Sequence, residues 1–477
     1  MNAIEYRNLI KQLIDSGSIP PFVYCYPTRS AYGPLPKVWT PRRIWQEDQR
    51  HSLSPDLNIY IHVPFCRYKC GFCNLYTIIS TSQSLYDMYT LSLCKEIEIY
   101  NQVIEKRNLR TIYIGGGTPS LLSARNFETL FTKFDEIYPN WRAVVEEVSI
   151  EVSPDSIVDN PSIVKHLLDL GVTRMNLGIQ SLKSNELRDA GREAASENVV
   201  RQAIHIIKAA GVPDLSTDLI MGFEGQTDES WVQSVEELLA LEPDTISTYF
   251  LTIRPDAWFS KTGRYSYARC PSLYSRYDLA RERILGEGYV QESNVRYKRM
   301  GRGGYRQKVL QFRGVPVLGI GAGARSYTNT VDYIVGGGRK SSISQIDAHM
   351  KMVSSGSYEI SQGFVLNDEE RIRKRLVLNL FDLNLSELEH YNVSSSAWVY
   401  EGLLEAAVTE GLVARVGQTR YQLTSQGYKY RDILSWLAFS STVRELDAEF
   451  YADLHRWNQH AQVKIGREVE VSGLNTN

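Results

Sequence analysis

The chain has 477 residues, which predicts one barrel-sized domain together with at least one smaller domain. Its formal net charge of −2 and isoelectric point near 6.5 exclude the basic footprint that nucleic-acid-binding proteins carry. No apolar run reaches membrane-spanning length and the first residues lack a signal-peptide pattern, so we expect a cytoplasmic protein with no nucleic-acid or membrane partner.

The chain begins with a segment, residues 1–50, that we predict to be an arm attached to the main domain. Residues 4–16 have the spacing of a short amphipathic helix, whereas residues 20–32 are rich in proline and aromatic side chains and are predicted to be extended. This extended stretch either wraps the main domain or covers an active-site mouth and touches substrate. Cys25 lies within it, and the three scattered cysteines, Cys25, Cys94 and Cys270, are each predicted to serve packing.

Three cysteines follow the first predicted strand in CxxxCxxC spacing: Cys66, Cys70 and Cys73. Three thiolates this close can hold an iron–sulfur cluster by three of its four irons. The fourth iron then remains open, and an open position on a metal site is where chemistry occurs. A structural zinc site needs a second ligand pair, and a disulfide framework does not suit a long chain without a secretory signal. His62 fits the strand alternation and is predicted to be a buried strand histidine rather than a ligand.

From residue 58 onwards, short β-branched runs alternate with helical stretches. The predicted strands are 58–63, 111–114, 147–152, 174–179, 215–220 and 245–251. The predicted helices are 84–106, 120–137, 161–170, 196–210 and 228–241. A repeat of about 30–40 residues is typical of βαβ units. The pattern predicts an α/β fold, a partial (β/α)6 barrel of TIM type over residues 51–340, with an open doubly wound sheet as the alternative.

Glycine and polar residues follow the ends of these strands. The run Gly115–Ser120 follows the second strand, and the next three strands end near Glu151, Gln180 and Asp218. In a parallel barrel these ends open onto one face, where active sites lie. Glycine backbone can approach a bound group closely and its N–H groups can bind a carboxylate, while the strand-end side chains can bond an amine and ribose hydroxyls. Arg192 can pair with a carboxylate. Each of these residues taken alone also fits a capping or rim role.

These features together resemble the oxygen-independent coproporphyrinogen III oxidases, the HemN-like branch of the radical S-adenosylmethionine (SAM) superfamily. The resemblance runs in order over roughly residues 20–330. It is carried by Tyr26-Pro27-Thr28, Tyr60-x-His62-x-Pro64-Phe65-Cys66-xxx-Cys70-x-Phe72-Cys73, Gly115–Pro119, Ser149–Val152, Gly178–Ser181, Arg192, Thr217–Ile220 and Leu318–Ala324.

The resemblance implies the cofactors and the residues that hold them. Cys66, Cys70 and Cys73 would ligate a 4Fe-4S cluster and serve as the catalytic centre. Members of this branch hold two molecules of S-adenosyl-L-methionine, one of them on the open iron. The residues carried over as contacts to the two SAM molecules are Tyr60, Phe72, Gly116, Gly117, Thr118, Glu151, Gln180, Arg192, Asp218 and Thr252.

One departure from the family bears on the reaction. The coproporphyrinogen oxidases carry a further cysteine two positions after the third ligand, where this chain has Leu75. Since this puts porphyrinogen oxidation in doubt, we predict a radical SAM methyltransferase that transfers a methyl or methylene carbon to an sp2 carbon, by methylation or cyclopropanation in natural-product biosynthesis. The alternatives are an oxygen-independent coproporphyrinogen III dehydrogenase in haem biosynthesis and a haem chaperone. The expected partners are a small-molecule substrate and an electron donor such as flavodoxin or ferredoxin, for a monomeric protein.

Two further regions bear on substrate choice. The segment 292–327, rich in Arg, Gly and Tyr, is either a solvated basic loop, which we favour, or a clamp for an anionic or aromatic group.

Residues 341–477 are predicted to form a mainly helical, winged-helix-like domain. Its predicted elements are a helix over 367–383 capped by Asn367, a helix over 398–409, a hairpin around Gly417, a helix over 425–438 and a polar-aromatic helix over 442–463, followed by disordered residues. Because the chain is acidic overall, we interpret this domain as a lid or substrate-selecting domain rather than a DNA-binding one.

Overall fold

The computed structural model describes residues 1–17, 19–52, 54–104, 107–254, 257–261, 272–336, 341–356, 358–388 and 400–450. Cys270, most of the predicted tail helix over 442–463 and the predicted disordered end lie outside these residues, although 441–450 are helical. Within the described ranges, none of the helices combines the length and the apolarity that a bilayer-spanning segment requires.

The N-terminal segment contains helix α1 (Ala3–Asp15), strand β1 (Gly33–Pro34) and helix α2 (Pro41–His51). The side chain of Asn2 accepts a hydrogen bond from the Glu5 N–H, and the Glu5 carboxylate accepts one from the Asn2 N–H, which satisfies two donors at the start of α1. The apolar side of α1 packs into the C-terminal hydrophobic core rather than against the barrel.

A nine-stranded sheet forms the main domain, and the predicted α/β fold is confirmed. Its strands are β2 (Asp56–Val63), β5 (Asn108–Gly116), β6 (Glu147–Val152), β7 (Arg174–Gln180), β8 (Asp214–Met221), β9 (Thr245–Phe250), β10 (Tyr289–Gln291), β11 (Arg296–Arg299) and β12 (Val317–Ile320). The order is β10-β11-β9-β8-β7-β6-β5-β2-β12, parallel from β9 to β12, with β10 and β11 antiparallel at one edge. All six predicted strands are present, and the carboxyl ends of these parallel strands share one rim.

Helices alternate with the strands of this sheet along the chain. They are α3 (Gln83–Val103), α4 (Ala124–Ile137), α5 (Trp141–Val144), α6 (Pro154–Asp159), α7 (Ser162–Asp169), α8 (Ser184–Asp189), α9 (Glu197–Ala209), α10 (Asp228–Leu239), α11 (Trp258–Lys261), α12 (Ser272–Gly286) and α13 (Arg306–Phe312). Helix α4 begins later than predicted, because Pro119–Leu121 forms a separate 3-10 turn and Ser123 caps the helix. The apolar faces of strands and helices share one continuous core.

The C-terminal region contains α14 (Ile343–Ser355), β15 (Gln362–Val365), α15 (Asp368–Asn379), β16 (Asp382–Asn384), α16 (Glu401–Thr409), β17 (Val413–Arg415), β18 (Arg420–Leu423), α17 (Ser425–Lys429) and α18 (Arg431–Leu437). Asn367 caps α15 through a bond from the Glu370 N–H, and β17–β18 form a hairpin around Gly417. The helix predicted over 425–438 is divided at Tyr430.

The three predicted segments share a second, four-stranded sheet. Two short strands, β13 (Arg325–Ser326) and β14 (Val331–Ile334), pair with each other, β14 pairs with β15, and β15 pairs with β1 of the N-terminal segment. This sheet therefore crosses both predicted boundaries, at residues 50 and 340. The division into an arm, a barrel and a C-terminal domain stays a prediction.

Candidate active site

The three cysteines lie on the loop that leaves β2. Cys66 ends a two-residue strand, β3 (Phe65–Cys66), which pairs with β4 (Ile78–Ile79), and the Cys73 N–H donates to the Cys70 carbonyl oxygen at 3.1 Å. The loop is tethered to its surroundings at Gly71, whose carbonyl oxygen accepts a bond from the Phe259 N–H at 3.0 Å. All three thiols line one cavity of about 210 Å³, called the cysteine pocket below.

The donor set of this pocket fits a cluster held by three thiolates. Burial raises the pKa of Cys66 to about 12 and also raises that of Cys73, so both thiols hold their protons until a metal replaces them. The Thr118 hydroxyl donates to the Cys66 sulfur at 3.7 Å. Among the residues that the structure describes, no group of three Cys, His, Asp or Glu side chains is arranged to bind a single metal ion. An iron–sulfur cluster does not need such a group, because each thiolate binds a different iron.

The glycine run after β5 holds the loop and an acidic side chain in place. The Gly116 N–H donates to the Glu151 carboxylate at 2.9 Å, and the Gly117 N–H donates to the Val63 carbonyl at 2.8 Å. A Cβ atom on Gly117 would lie 2.4 Å from the Phe65 carbonyl oxygen, so glycine is required for this close approach. The carboxylate that the glycine run binds is therefore the protein's own.

Two carboxylates stand near the carboxyl ends of β6 and β8, the strands on either side of β7. The Tyr113 hydroxyl donates to Glu151 at 2.9 Å, and the Asn176 side-chain amide donates to Asp218 at 2.7 Å. Burial raises the pKa of both carboxyls. Gln180, between them in chain order, has a left-handed backbone (φ 73°) where the pairing of β7 with β8 is interrupted, and the strand ends there. This arrangement presents hydrogen-bond acceptors to an amine or to hydroxyls.

Arg192 connects the cysteine loop to the strand ends. Its Nη1 donates to the Cys70 sulfur at 3.2 Å and its Nη2 to the Gly178 carbonyl oxygen at 2.7 Å. Its Nε is buried and finds no hydrogen-bond partner among the described residues. The guanidinium therefore has a donor left for an anionic group in the pocket.

The structure brings most of the predicted cofactor residues together. Those that line the cysteine pocket beside the three cysteines are Phe72, Gly116, Gly117, Thr118, Glu151, Gln180, Arg192 and Asp218. Thr252 lines a neighbouring cavity, whereas Tyr60 lines neither, and its hydroxyl bonds His62 Nδ1 at 2.9 Å. His62 is buried, its Nε2 lies 2.7 Å from the Tyr76 carbonyl oxygen, and burial lowers its pKa to about 4, as suits a neutral strand histidine.

The neighbouring cavity, called the barrel cavity below, has a volume of about 430 Å³ and adjoins the cysteine pocket. The residues that border both are Phe72, Cys73, Leu75, Glu151, Asn176, Gln180 and Asp218. Aromatic side chains line much of the rest: Phe22, Tyr24, Tyr113, Tyr249, Phe250, Tyr305 and Phe312. The cationic side chains that line the barrel cavity are Arg174, Arg254, Arg296, Lys308, Arg325 and Arg431.

The barrel cavity shows where part of the segment 292–327 lies, which the sequence left open. Arg296, Tyr305 and Lys308 of the segment 292–327 face the cavity, so this part is not the solvated loop that we favoured; Arg302 of the same segment is exposed. The guanidinium carbons of Arg174 and Arg296 each lie 4.9 Å from the centre of the Tyr305 ring. Sequence reasoning missed this stack, for which the Arg- and Tyr-rich composition was the only signal.

Segments from both ends of the chain also line this cavity. Phe22 and Tyr24 of the N-terminal segment face it, which agrees with a covering role for the extended stretch. Arg431, the first residue of α18, reaches it from the C-terminal region, where its guanidinium lies 5.0 Å from the centre of the Phe381 ring. Arg431 is therefore placed where a substrate-selecting role of that region, which stays a prediction, would require a side chain.

Comparisons with known proteins agree with this geometry. The sequence profile of the radical SAM superfamily matches residues 60–238. The heme chaperone HemW of Lactococcus lactis is 32% identical over 279 residues, 57% of this chain and 70% of that protein. The oxygen-independent coproporphyrinogen III oxidase of Helicobacter pylori is 24% identical over 357 residues, 70% of this chain and 74% of that protein. Among solved structures, the coproporphyrinogen III oxidase HemN of Escherichia coli, a radical SAM enzyme, superposes with a TM-score of 0.72 at 23% identity, covering 87% of this chain and 96% of HemN.

These comparisons overturn one prediction from the sequence. Carbon transfer to an sp2 carbon, by methylation or by cyclopropanation, is wrong, because the relatives that align with most of their length are named as a haem chaperone and as coproporphyrinogen III oxidases. That prediction depended on Leu75 together with the retained SAM contacts. The absence of a cysteine at this position therefore does not indicate a methyltransferase.

Proposed function

The chain belongs to the HemN-like family of radical SAM proteins, whose cofactors are a 4Fe-4S cluster and SAM, and from this membership we propose that it oxidises a carboxylate-bearing tetrapyrrole in the barrel cavity. The observation that carries the proposal is that the cysteine pocket adjoins an aromatic and cationic cavity, with which it shares lining residues. When bound and reduced, the cluster and SAM supply a one-electron cleavage that ends in removal of a hydrogen atom from the substrate.

The residues of the cysteine pocket have distinct roles in this proposal. Cys66, Cys70 and Cys73 hold three irons, and the hydrogen bonds from Thr118 and Arg192 stabilise the negative charge on two of the sulfurs. Arg192 also offers its free Nε to the carboxylate of SAM. The remaining contacts to SAM are proposed for Phe72, Gly116, Gly117, Glu151, Gln180, Asp218 and Thr252, whereas a contact from Tyr60, which lines neither cavity, is carried by the family resemblance alone.

A second SAM molecule stays part of the proposal. Gln180 and Asp218 border both cavities, and Thr252 borders only the barrel cavity, so a molecule held by all three would lie between the cluster and the substrate. The reducing electron would come from a small protein donor such as flavodoxin or ferredoxin.

The barrel cavity suits a flat, unsaturated ligand with acidic side chains. Its volume lies within the roughly 300–1,000 Å³ of small-molecule sites. The aromatic rings offer faces for stacking, and the cations offer partners for carboxylates. In the proposed reaction a propionate side chain loses a hydrogen atom to the adenosyl group, CO2, and one electron to a one-electron acceptor, and becomes a vinyl group.

The test is an anaerobic reaction of the reconstituted protein with SAM, a low-potential reductant and coproporphyrinogen III. We expect 5′-deoxyadenosine, methionine and vinyl-bearing tetrapyrrole, measured by mass spectrometry. Cys66→Ala should abolish all three products, whereas Cys94→Ala, a change at a buried cysteine on α3 away from the pocket, should retain them. SAM cleavage without any change in the tetrapyrrole would contradict the proposal.

A haem chaperone is the second candidate, favoured by Leu75 and by the name of the Lactococcus relative. Leu75 lies where the two cavities meet, and 47% of its surface is exposed. A chaperone should bind haem stoichiometrically in an absorbance titration and yield no decarboxylated product. Haem binding with an unchanged tetrapyrrole substrate would favour the chaperone, and vinyl product would favour the oxidase.

A further inference from the structure

We propose that Lys308 and Arg325 form a carboxylate-binding subsite in the wall of the barrel cavity, which selects a substrate by its free carboxylate group. The inference deepens the proposed function and rests on it for the nature of the ligand. Lys308 lies on α13, and Arg325 begins β13. Both side chains line the cavity, and both lie over the ring of Tyr24 from the N-terminal segment.

The hydrogen bonds of these two side chains are made to neutral groups. The Arg325 Nη2 donates to the Tyr24 hydroxyl at 2.6 Å, and the Lys308 Nζ donates to the Gln311 side-chain oxygen at 2.8 Å. The Lys308 Nζ lies 5.5 Å from the centre of the Tyr24 ring, and the Arg325 Cζ lies 5.1 Å from it. These neutral partners orient the two cations at one wall without cancelling their charge.

Other cations of the cavity have carboxylate partners. Arg174 lies 3.3 Å from Asp214, Arg296 lies 3.3 Å from Glu292, and Arg431 lies 2.9 Å from Asp432. Among the residues that the structure describes, Lys308 and Arg325 form no ion pair with a carboxylate. A charge that is withdrawn from water without a counter-charge is costly, and a bound anion removes this cost.

The electrostatic surroundings of Lys308 support the same conclusion. Burial, together with the charges of Arg296, Arg325 and Arg431, lowers the pKa of its amine to about 7, whereas Cys25 acts to raise it. Three arginines that face one lysine make an environment that favours a negative ligand. A carboxylate placed between Lys308 and Arg325 would raise the pKa of the lysine again.

The rings around the subsite define the rest of the ligand. The Lys308 Nζ lies over both Tyr24 and Phe312, the latter at 5.7 Å, so the carboxylate must be attached to a body that tolerates aromatic neighbours. A planar tetrapyrrole with carboxylate side chains has this chemistry. Its ester has the same plane but lacks the charge, and should therefore bind weakly.

The first experiment titrates the reconstituted protein with coproporphyrin III and with its tetramethyl ester, followed by porphyrin fluorescence. We expect the wild type to bind the free acid at least about tenfold more tightly than the ester, in keeping with hydrogen bonds to charged groups. Lys308→Met and Arg325→Gln should each weaken binding of the free acid by about 10- to 100-fold and leave binding of the ester unchanged. Lys308→Arg should restore most of the affinity.

The matched control is Lys165→Met, the same change at an exposed helix position that pairs with Asp169. It should bind both porphyrins as the wild type does. Cluster absorbance and the melting temperature of each variant show that the fold is retained. Equal affinity of the wild type for acid and ester, or an unchanged affinity of Lys308→Met for the acid, would overturn the subsite.

A second probe separates this inference from the proposed function. The dye 8-anilinonaphthalene-1-sulfonate is an aromatic anion unrelated to tetrapyrroles, and its fluorescence rises on binding. If no porphyrin binds, the tetrapyrrole proposal fails; dye binding that is lost in Lys308→Met and Arg325→Gln but kept in Lys165→Met would still support the anion subsite. Dye binding that is the same in all variants would overturn the subsite by itself.

Discussion

For single side chains of the cysteine pocket, position along the predicted strands indicated the hydrogen-bond acceptors but not the donors that orient them. Glu151 and Asp218 were predicted because the sequence places them near the carboxyl ends of two parallel strands, β6 and β8. Their partners Tyr113 and Asn176 were not, although they lie on neighbouring strands, because inward-facing positions within a strand look the same in sequence whether they pack or bind. The identity of each acceptor was therefore predictable, but the donor that orients it was not.

At the residue scale, the titration of Lys308 should make the affinity for a carboxylate-bearing ligand depend on pH. Its pKa in the free protein is about 7, so the amine is charged below this pH and neutral above it. Because a bound carboxylate raises this pKa, binding takes up a proton above pH 7, and affinity for the free-acid porphyrin should fall as pH rises from 7 to 9, by at most about tenfold per pH unit. Fluorescence titrations at several pH values measure this slope. Lys308→Met should flatten it, and an equally steep slope in that variant would contradict the assignment.

At the scale of elements, polar strands were harder to predict than apolar ones. The six strands of the barrel repeat were predicted from β-branched runs, whereas β11 (Arg296–Arg299) was missed because its sequence, Arg-Tyr-Lys-Arg, has no apolar alternation. In the structure this strand pairs with β9 and holds Arg296 towards the cavity. The long-range pairing with β9 stabilises this strand and cannot be read from local pattern, while Arg296 and Lys298 add ion pairs with the nearby Glu292.

The junction between the glycine run and the cysteine loop gives a prediction at this scale. In Gly117→Ala the new methyl group would lie 2.4 Å from the Phe65 carbonyl oxygen and 2.9 Å from the Cys66 sulfur, so the loop must move. We expect a loss of about 1–3 kcal/mol in stability and reduced cluster content after reconstitution. Iron analysis and thermal unfolding check this. Gly286→Ala, where a Cβ meets nothing within 4 Å, should match the wild type; full iron content in Gly117→Ala would refute the steric argument.

At the scale of the whole molecule, the two ends of the chain complete the barrel cavity together. Helix α1 packs in the same core as α16 and α18, and the stretch that follows brings Phe22 and Tyr24 to the cavity. Asp432 connects the parts: it accepts bonds from the Val23 N–H at 3.2 Å, from Asn294 at 3.0 Å and from Arg431 at 2.9 Å. One buried carboxylate therefore joins the N-terminal segment, the barrel and α18.

Removing the charge of Asp432 should destabilise the contacts that join the N-terminal segment, the barrel and α18. Asp432→Asn keeps the shape of the side chain but leaves the buried Arg431 without its counter-charge, so we expect a loss of about 3 kcal/mol in the free energy of unfolding. Urea denaturation measures the loss, and limited proteolysis should show earlier cleavage near residue 20. Asp169→Asn, at an exposed ion pair, is the control and should change stability by less than about 1 kcal/mol. If the two variants unfold alike, Asp432 is not the connection that we infer.

The sequence by itself determined the alternation of strands and helices, the cysteine loop and the residues at the strand ends, because each of these is encoded by neighbours in the chain. Tertiary structure alone decided that Tyr24, Lys308, Arg325 and Arg431 line one cavity, since the N-terminal segment, the α13–β13 region and α18 are distant from one another in sequence. The physical reason is that local periodicity reports which face of an element is apolar. Which charges remain unpaired inside the molecule depends on the packing of distant segments, and this is what gives the barrel cavity its chemistry.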